Sequence, residues 1–121
     1  MTKRILVVED QEDNRQILRD LLGSVGHEMI EAHDGEAAVA QAAKHKPDLI
    51  LMDIQLPVMD GYEATRRIKA NPELNAIPII VVTSYALSGD EEKARAAGCG
   101  AYVTKPYSPR QLLAKLNEFL K

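Results

Sequence analysis

Leu49-Ile50-Leu51-Met52, closed by Asp53, is apolar at every position instead of every second one. A strand of that kind is covered on both faces, as in a parallel sheet flanked by helices. Outward from it, Ile5-Leu6-Val7-Val8 and Ile79-Ile80-Val81-Val82 carry the same signature, and the runs His27 to Glu31 and Ala101 to Thr104 complete a set of five. Segments of helical period separate the runs, so strand and helix alternate along the chain.

This alternation predicts an α/β fold, a doubly wound five-stranded parallel sheet of (βα)5 type with right-handed crossovers. For a domain this small the expected strand order is 2-1-3-4-5, the flavodoxin-like arrangement. The helix starts are explicit. Ser88-Gly89-Asp90-Glu91 and Ser108-Pro109-Arg110-Gln111 have capping-box spacing, the second with proline at the first helical position. Asp34-Gly35-Glu36 and Asp60-Gly61-Tyr62-Glu63 read as two more. Ile17, Leu18, Leu21, Leu22 and Val25 predict one apolar face on the first helix; Leu112, Leu113, Leu116, Phe119 and Leu120 do so on the last. Asp90 to Ala97 offers mostly alanine for burial, which predicts weak packing and a mobile helix.

The 121 residues are expected to make one domain, spanning 1–121 with no output domain after it, and at this size a core forms without a disulfide or structural metal. A net charge of −3 argues against wrapping nucleic acid or coating an anionic membrane. Cys99, the single cysteine, reads as a small buried hydrophobe. The first apolar run is stopped by Glu9 and Asp10, too short for a signal-peptide core, and no stretch approaches the roughly 20 apolar residues that insert across a bilayer. A soluble, cytoplasmic protein is expected. His27, His33 and His45 have no spacing that would bind a metal together.

In open parallel sheets the site lies at the carboxyl ends of the strands, where the strand order reverses. Those ends carry Glu9 and Asp10 after the first strand, Asp53 after the third, Thr83 and Ser84 after the fourth, and Lys105 after the fifth. Each has a plainer explanation. Asp10 could cap a helix, Glu9 could be a solvated loop charge, Asp53 could hold the loop that follows it, Thr83 could be a satisfied strand-end residue and Lys105 a surface lysine. Only Asp53 stands out singly. Taken together, three crowded carboxylates repel one another unless a cation neutralises them. Oxygen-only ligands suit a hard ion such as Mg²⁺. Magnesium with a nearby lysine and hydroxyl suits a transferring phosphoryl group, and one carboxylate could itself be the nucleophile.

At these residues the sequence resembles the receiver domain of two-component response regulators over essentially the whole chain. The resemblance rests on Val7-Val8-Glu9-Asp10, on Pro47 to Asp53 followed by Leu56-Pro57-Val58-Met59-Asp60-Gly61, on Val82-Thr83-Ser84, and on Gly100 to Pro106. It implies that Asp53 accepts a phosphoryl group from a sensor histidine kinase or a histidine phosphotransfer protein. It also implies that Asp10, Asp53 and the backbone carbonyl of Gln55, supported by Glu9, hold Mg²⁺, and that Lys105 pairs with the phosphoryl oxygens. Thr83 would swing toward the phosphate and Tyr102 would turn inward as Thr83 leaves its place; the plainer role for Tyr102 is an edge-strand residue half buried against the last helix. Gln55 and Tyr85, two places beyond Asp53 and Thr83, would set the lifetime of the phosphorylated state.

The output implied is a protein-binding face of the fourth helix, fifth strand and fifth helix, acting on a downstream protein target, with the kinase docking beside the first helix. Such a protein is not an enzyme on outside substrates and catalyses only its own phosphorylation and dephosphorylation. Within the family it resembles the stand-alone regulators of cell division and polarity (the DivK type) more than the chemotaxis regulator. Two other classes compete. A flavodoxin-like small-molecule binding module would want a glycine- or hydroxyl-rich loop after the first strand, where Glu9-Asp10-Gln11-Glu12-Asp13 stands instead. A Mg-dependent aspartyl-phosphate hydrolase would want a second acid two residues after its nucleophile, where Gln55 stands. A receiver that works without phosphorylation is disfavoured because every site position is filled.

Overall fold

Five strands, β1 (Arg4–Val8), β2 (Glu28–Ala32), β3 (Leu49–Asp53), β4 (Ile79–Thr83) and β5 (Ala101–Thr104), alternate with five helices, α1 (Glu12–Ser24), α2 (Gly35–His45), α3 (Gly61–Ala70), α4 (Asp90–Ala97) and α5 (Pro109–Phe119). They come from a computed structural model that describes residues 3–54, 56–83, 90–104 and 108–120. All four strand pairings are parallel and the order is β2-β1-β3-β4-β5, as the alternation of runs predicts.

Pleating sends successive strand residues to opposite faces. Leu6, Val8, Ile50, Met52, Ile79 and Val81 join Ala38, Ala42, Ala64, Ile68 and Ala94 in one core cluster, under α2, α3 and α4. Ile5, Val7, Leu49, Leu51 and Ile80 join Leu18 and Leu22 of α1 and Leu112 and Leu116 of α5 in the other. Every residue of β3 and β4 is buried, which is why those runs are apolar throughout. β2 lies at the edge, and its Glu28 is exposed. Its pairing with β1 runs from Arg4 with Glu28 to Val8 with Ala32, so the strand starts one residue later than the run beginning at His27.

Asp34 and Asp60 cap α2 and α3 through the backbone N–H groups of Ala37 and Glu63, and Ser108 with Gln111 closes a complete capping box on α5. Ser88 and Gly89 lie outside the described residues; among the side chains of α4 that are described, Ala94 and Ala97 are the buried ones, as its composition predicts. The apolar face of α1 is narrower than its sequence suggests. Leu18 and Leu22 are buried and Leu21 packs beside them, but Ile17 is 62% exposed and Val25 46%. At about 100° per residue, Ile17 falls off the edge of the arc centred on Leu18 and Leu22, and Val25 sits at the C-cap, past the helix. Cys99 is only half-buried, in the connection between α4 and β5, against the first cluster. Among the described residues no helix is long and apolar enough to cross a membrane.

Candidate metal centre

The parallel register delivers the acids. Val8 pairs with Met52, so Glu9, Asp10 and Asp53 leave the sheet at the same edge from adjacent strands. One carboxylate oxygen from each lies within 4.8 Å of the others. Glu9 and Asp53 are buried and Asp10 is exposed, so the cluster opens to solvent on one side. A donor set made of carboxylate oxygens, without nitrogen or sulfur, fits a hard divalent cation that retains water.

Asp53 pairs with Val82, which places Thr83, buried at the end of β4, one residue further along the same edge. Thr83 in turn pairs with Thr104, the last residue of β5. Gln55, Ser84, Tyr85 and Lys105 lie outside the described residues. Tyr102 is half-buried and packs with the cluster that holds Val81 and Ala94, on the α4 side of β5, not simply against the last helix as its plainer role would have it.

Asp10 does not cap α1. The N-cap position is Gln11, whose own side chain makes no capping hydrogen bond. Instead the Gln11 backbone N–H donates to Oε2 of Glu9 at 3.3 Å, and the Asn14 side-chain amide donates to Oε1 at 3.1 Å. Nη1 of Arg15 donates to the Glu9 carbonyl at 2.7 Å, while its Nε reaches Oε1 of Glu31 at 3.1 Å. Arg19 binds the same Glu31 oxygen at 2.6 Å. The hydrogen bond from Arg19, with the charges of Arg19 and Arg15, holds the Glu31 carboxyl below the usual carboxylate range. Asn14, Arg15 and Glu31 carry no motif that would single them out in the sequence.

The loop after Asp53 is held by close backbone approaches. A Cβ on Gly61 would sit 2.2 Å from the Asp53 carbonyl oxygen, and one on Gly35 would sit 2.2 Å from that of Met59. The Gly61 N–H donates to the Ile54 carbonyl, and the Ile54 N–H to that of Val82. Only glycine lets the first turns of α2 and α3 close this tightly on the loop. Asp60-Gly61 is legible as a helix start, but this contact is not. Val58, 79% exposed, has φ of 68°. A β-branched residue in that region stores backbone strain of about 1–3 kcal/mol.

The response regulator receiver domain profile matches residues 5–117. The polar-differentiation response regulator DivK of Brucella ovis is 45% identical over 120 residues, covering 99% of this chain and 98% of the relative. Among solved structures, the receiver domain of a sensor histidine kinase from Pseudomonas aeruginosa PAO1, with a magnesium ion coordinated in its active site cleft, is 38% identical at TM-score 0.92, covering 99% of this chain and 98% of that one. The chemotaxis protein CheY4 of Vibrio cholerae is 29% identical at TM-score 0.93, covering 99% of this chain and 100% of that one.

Proposed function

The chain belongs to the response regulator receiver domain family, and on that premise we propose that Asp53 accepts a phosphoryl group from a histidine kinase or histidine phosphotransfer protein and that the phosphate switches a protein-binding face. The observation that carries this reading is the convergence of Glu9, Asp10 and Asp53 within 4.8 Å at the edge where β1 and β3 end. Glu9, Asp10, Asp53 and the backbone carbonyl of Gln55 would hold Mg²⁺. The ion supplies charge neutralisation for the phosphoryl oxygens and for the crowded acids.

A carboxylate oxygen of Asp53 attacks phosphorus as the phosphorus–nitrogen bond of the donor breaks, and the electron pair leaves with the imidazole. The product is an acyl phosphate, which water later cleaves to restore the carboxylate. Lys105 pairs with the phosphoryl oxygens, and Thr83, on the adjacent strand, donates its hydroxyl to them. Charge-assisted hydrogen bonds of this kind contribute about 1.5–3 kcal/mol each, and about 5.5 kcal/mol inverts a mostly inactive population. Two contacts together with the ion meet that requirement. Thr83 leaving its buried place gives Tyr102 room to turn inward, which carries the change to α4, β5 and α5. Gln55 and Tyr85, two places beyond Asp53 and Thr83 in the sequence, set the lifetime of the acyl phosphate.

Coverage of 98% of the DivK relative supports action as a single receiver domain through contact with a downstream protein. The chain then works in the cytoplasm, catalyses only its own phosphorylation and dephosphorylation, and turns over no outside substrate. Incubation with acetyl phosphate and Mg²⁺ should raise the intact mass by one phosphoryl group, and Asp53→Asn should abolish the gain without unfolding the protein. An unchanged mass with both acetyl phosphate and a phosphorylated histidine phosphotransfer protein would refute the assignment. The purified protein should also be colourless and inert toward free phosphate esters, against the binding-module and hydrolase readings.

A further inference from the structure

We propose that Asn14 and Arg15, in the first turns of α1, are positioning residues for the metal site and act on it through Glu9. The inference rests on the reading of Glu9, Asp10 and Asp53 as a Mg²⁺ site. Glu9 is buried beside two other acids, and a glutamate has one more side-chain torsion to order than an aspartate. Two donors remove that freedom. The Gln11 backbone N–H takes Oε2 at 3.3 Å and the Asn14 amide takes Oε1 at 3.1 Å. An ionised carboxylate offers about four lone-pair sites, and one donor on each oxygen fixes the plane in which they lie. The Gln11 contact is backbone, and Asn14 is the part that depends on side-chain identity. An asparagine is suited to the task because its amide donates without adding another negative charge to the cluster.

Arg15 acts on the backbone of the same residue. Nη1 donates to the Glu9 carbonyl at 2.7 Å, at the turn that presents Asp10. The guanidinium is itself anchored, through Nε to Glu31 at 3.1 Å on β2 and through Nη2 to Glu12 on α1. The Arg15 side chain is only 13% exposed, and Arg19 fixes Glu31 from the other side. Strand β2 and helix α1 thereby set the place of the β1–α1 turn. A lysine would carry the charge but not the three-way geometry.

Groups that orient a metal ligand typically contribute about 10–100-fold to affinity. The test is titration of the unphosphorylated 121-residue chain with MgCl₂, followed by amide NMR, together with urea unfolding without metal. Asn14→Ala should raise the Mg²⁺ Kd about tenfold or more, while the metal-free unfolding midpoint stays near that of the parent. In a Glu9→Ala background the same substitution should change the Kd less than about twofold, because its route to the metal is gone. Arg15→Ala should also raise the Kd, and Arg15→Lys should not restore it. An Asn14→Ala Kd within about twofold of the parent, or an equal loss in both backgrounds, overturns the proposal. Asn14→Ser gives the same reading should the alanine variant fail to fold. A parent chain that binds no Mg²⁺ refutes the metal site itself, which is a different result from an unaffected Asn14 variant.

Discussion

The two faces of the sheet are packed by different kinds of residue. Under α1 and α5 the helices bury leucines, Leu18 and Leu22 from one and Leu112 and Leu116 from the other. Under α2, α3 and α4 they bury chiefly small residues, among them Gly35, Ala38, Ala42, Gly61, Ala64, Ala94 and Ala97. Large side chains fill volume and contribute transfer energy. Small ones let helix backbone approach the sheet, and the consequence is visible at Asp53 and Met59, whose carbonyl oxygens leave no room for a Cβ on Gly61 or Gly35. The leucine face supplies stability, and the small-residue face sets where the loop after Asp53 lies.

Substitutions can break that division. Leu22→Ala, at a fully buried position, should cost about 2–5 kcal/mol in chemical denaturation. It should leave the Mg²⁺ affinity of the folded protein within about twofold, and a large loss of affinity would show that the leucine face also shapes the site. Gly61→Ala should show the opposite balance. Its Cβ meets backbone, so the Asp53 carbonyl must shift; we expect a stability loss of about 1–3 kcal/mol with a clear drop in Mg²⁺ affinity and in the rate of phosphorylation by acetyl phosphate. A variant with parental affinity would mean that the approach does not control the site.

Two smaller effects sharpen the comparison. Thr65 on α3 is completely buried, and its hydroxyl has no hydrogen-bond partner among the described residues. Thr65→Val keeps the shape and removes the unpaired group, so it should raise stability by about 1 kcal/mol. A loss instead would show that the hydroxyl is satisfied in solution. The smallest effect concerns Glu31, whose folded-state pKa lies below the ordinary 4.5 because Arg19 and Arg15 favour the carboxylate. A depressed pKa gives stability that is present above the unfolded value and is lost as pH falls through the folded one. Parent and Glu31→Gln should therefore differ most above pH 4.5, and the gap should close below it. Because the Glu31 side chain is 36% exposed, the gap should amount to only a few tenths of a kcal/mol and shrink with added salt. A gap that widens on acidification would contradict the direction of the shift.

How much was legible in the chain itself differs from residue to residue. The runs around Leu49, Ile5 and Ile79 announced doubly covered strands because burial on both faces removes the polar half of the alternation. Asp34, Asp60 and Ser108 announced helix starts because a cap is a local bond spanning three residues. Glu9, Asp10 and Asp53 could be named from their places at strand ends, once the strand order was inferred. Ile17 misled, because an apolar residue at helical spacing does not reveal how wide an arc the sheet covers. Asn14, Arg15 and Gly61 gave no signal as parts of the site, since each matters through one contact with a residue it could not be paired with in advance.

Local rules thus settled which segments became strands and helices, where several helices begin, and which side chains had the chemistry to bind a cation and a phosphoryl group. Packing in three dimensions decided which leucines and alanines met, how near α3 came to the Asp53 carbonyl, and which groups took hold of Glu9. The physical reason is range. Propensity, capping and alternation act over a few neighbouring residues, whereas close approach and the orientation of a buried carboxylate exist only once distant segments have come together.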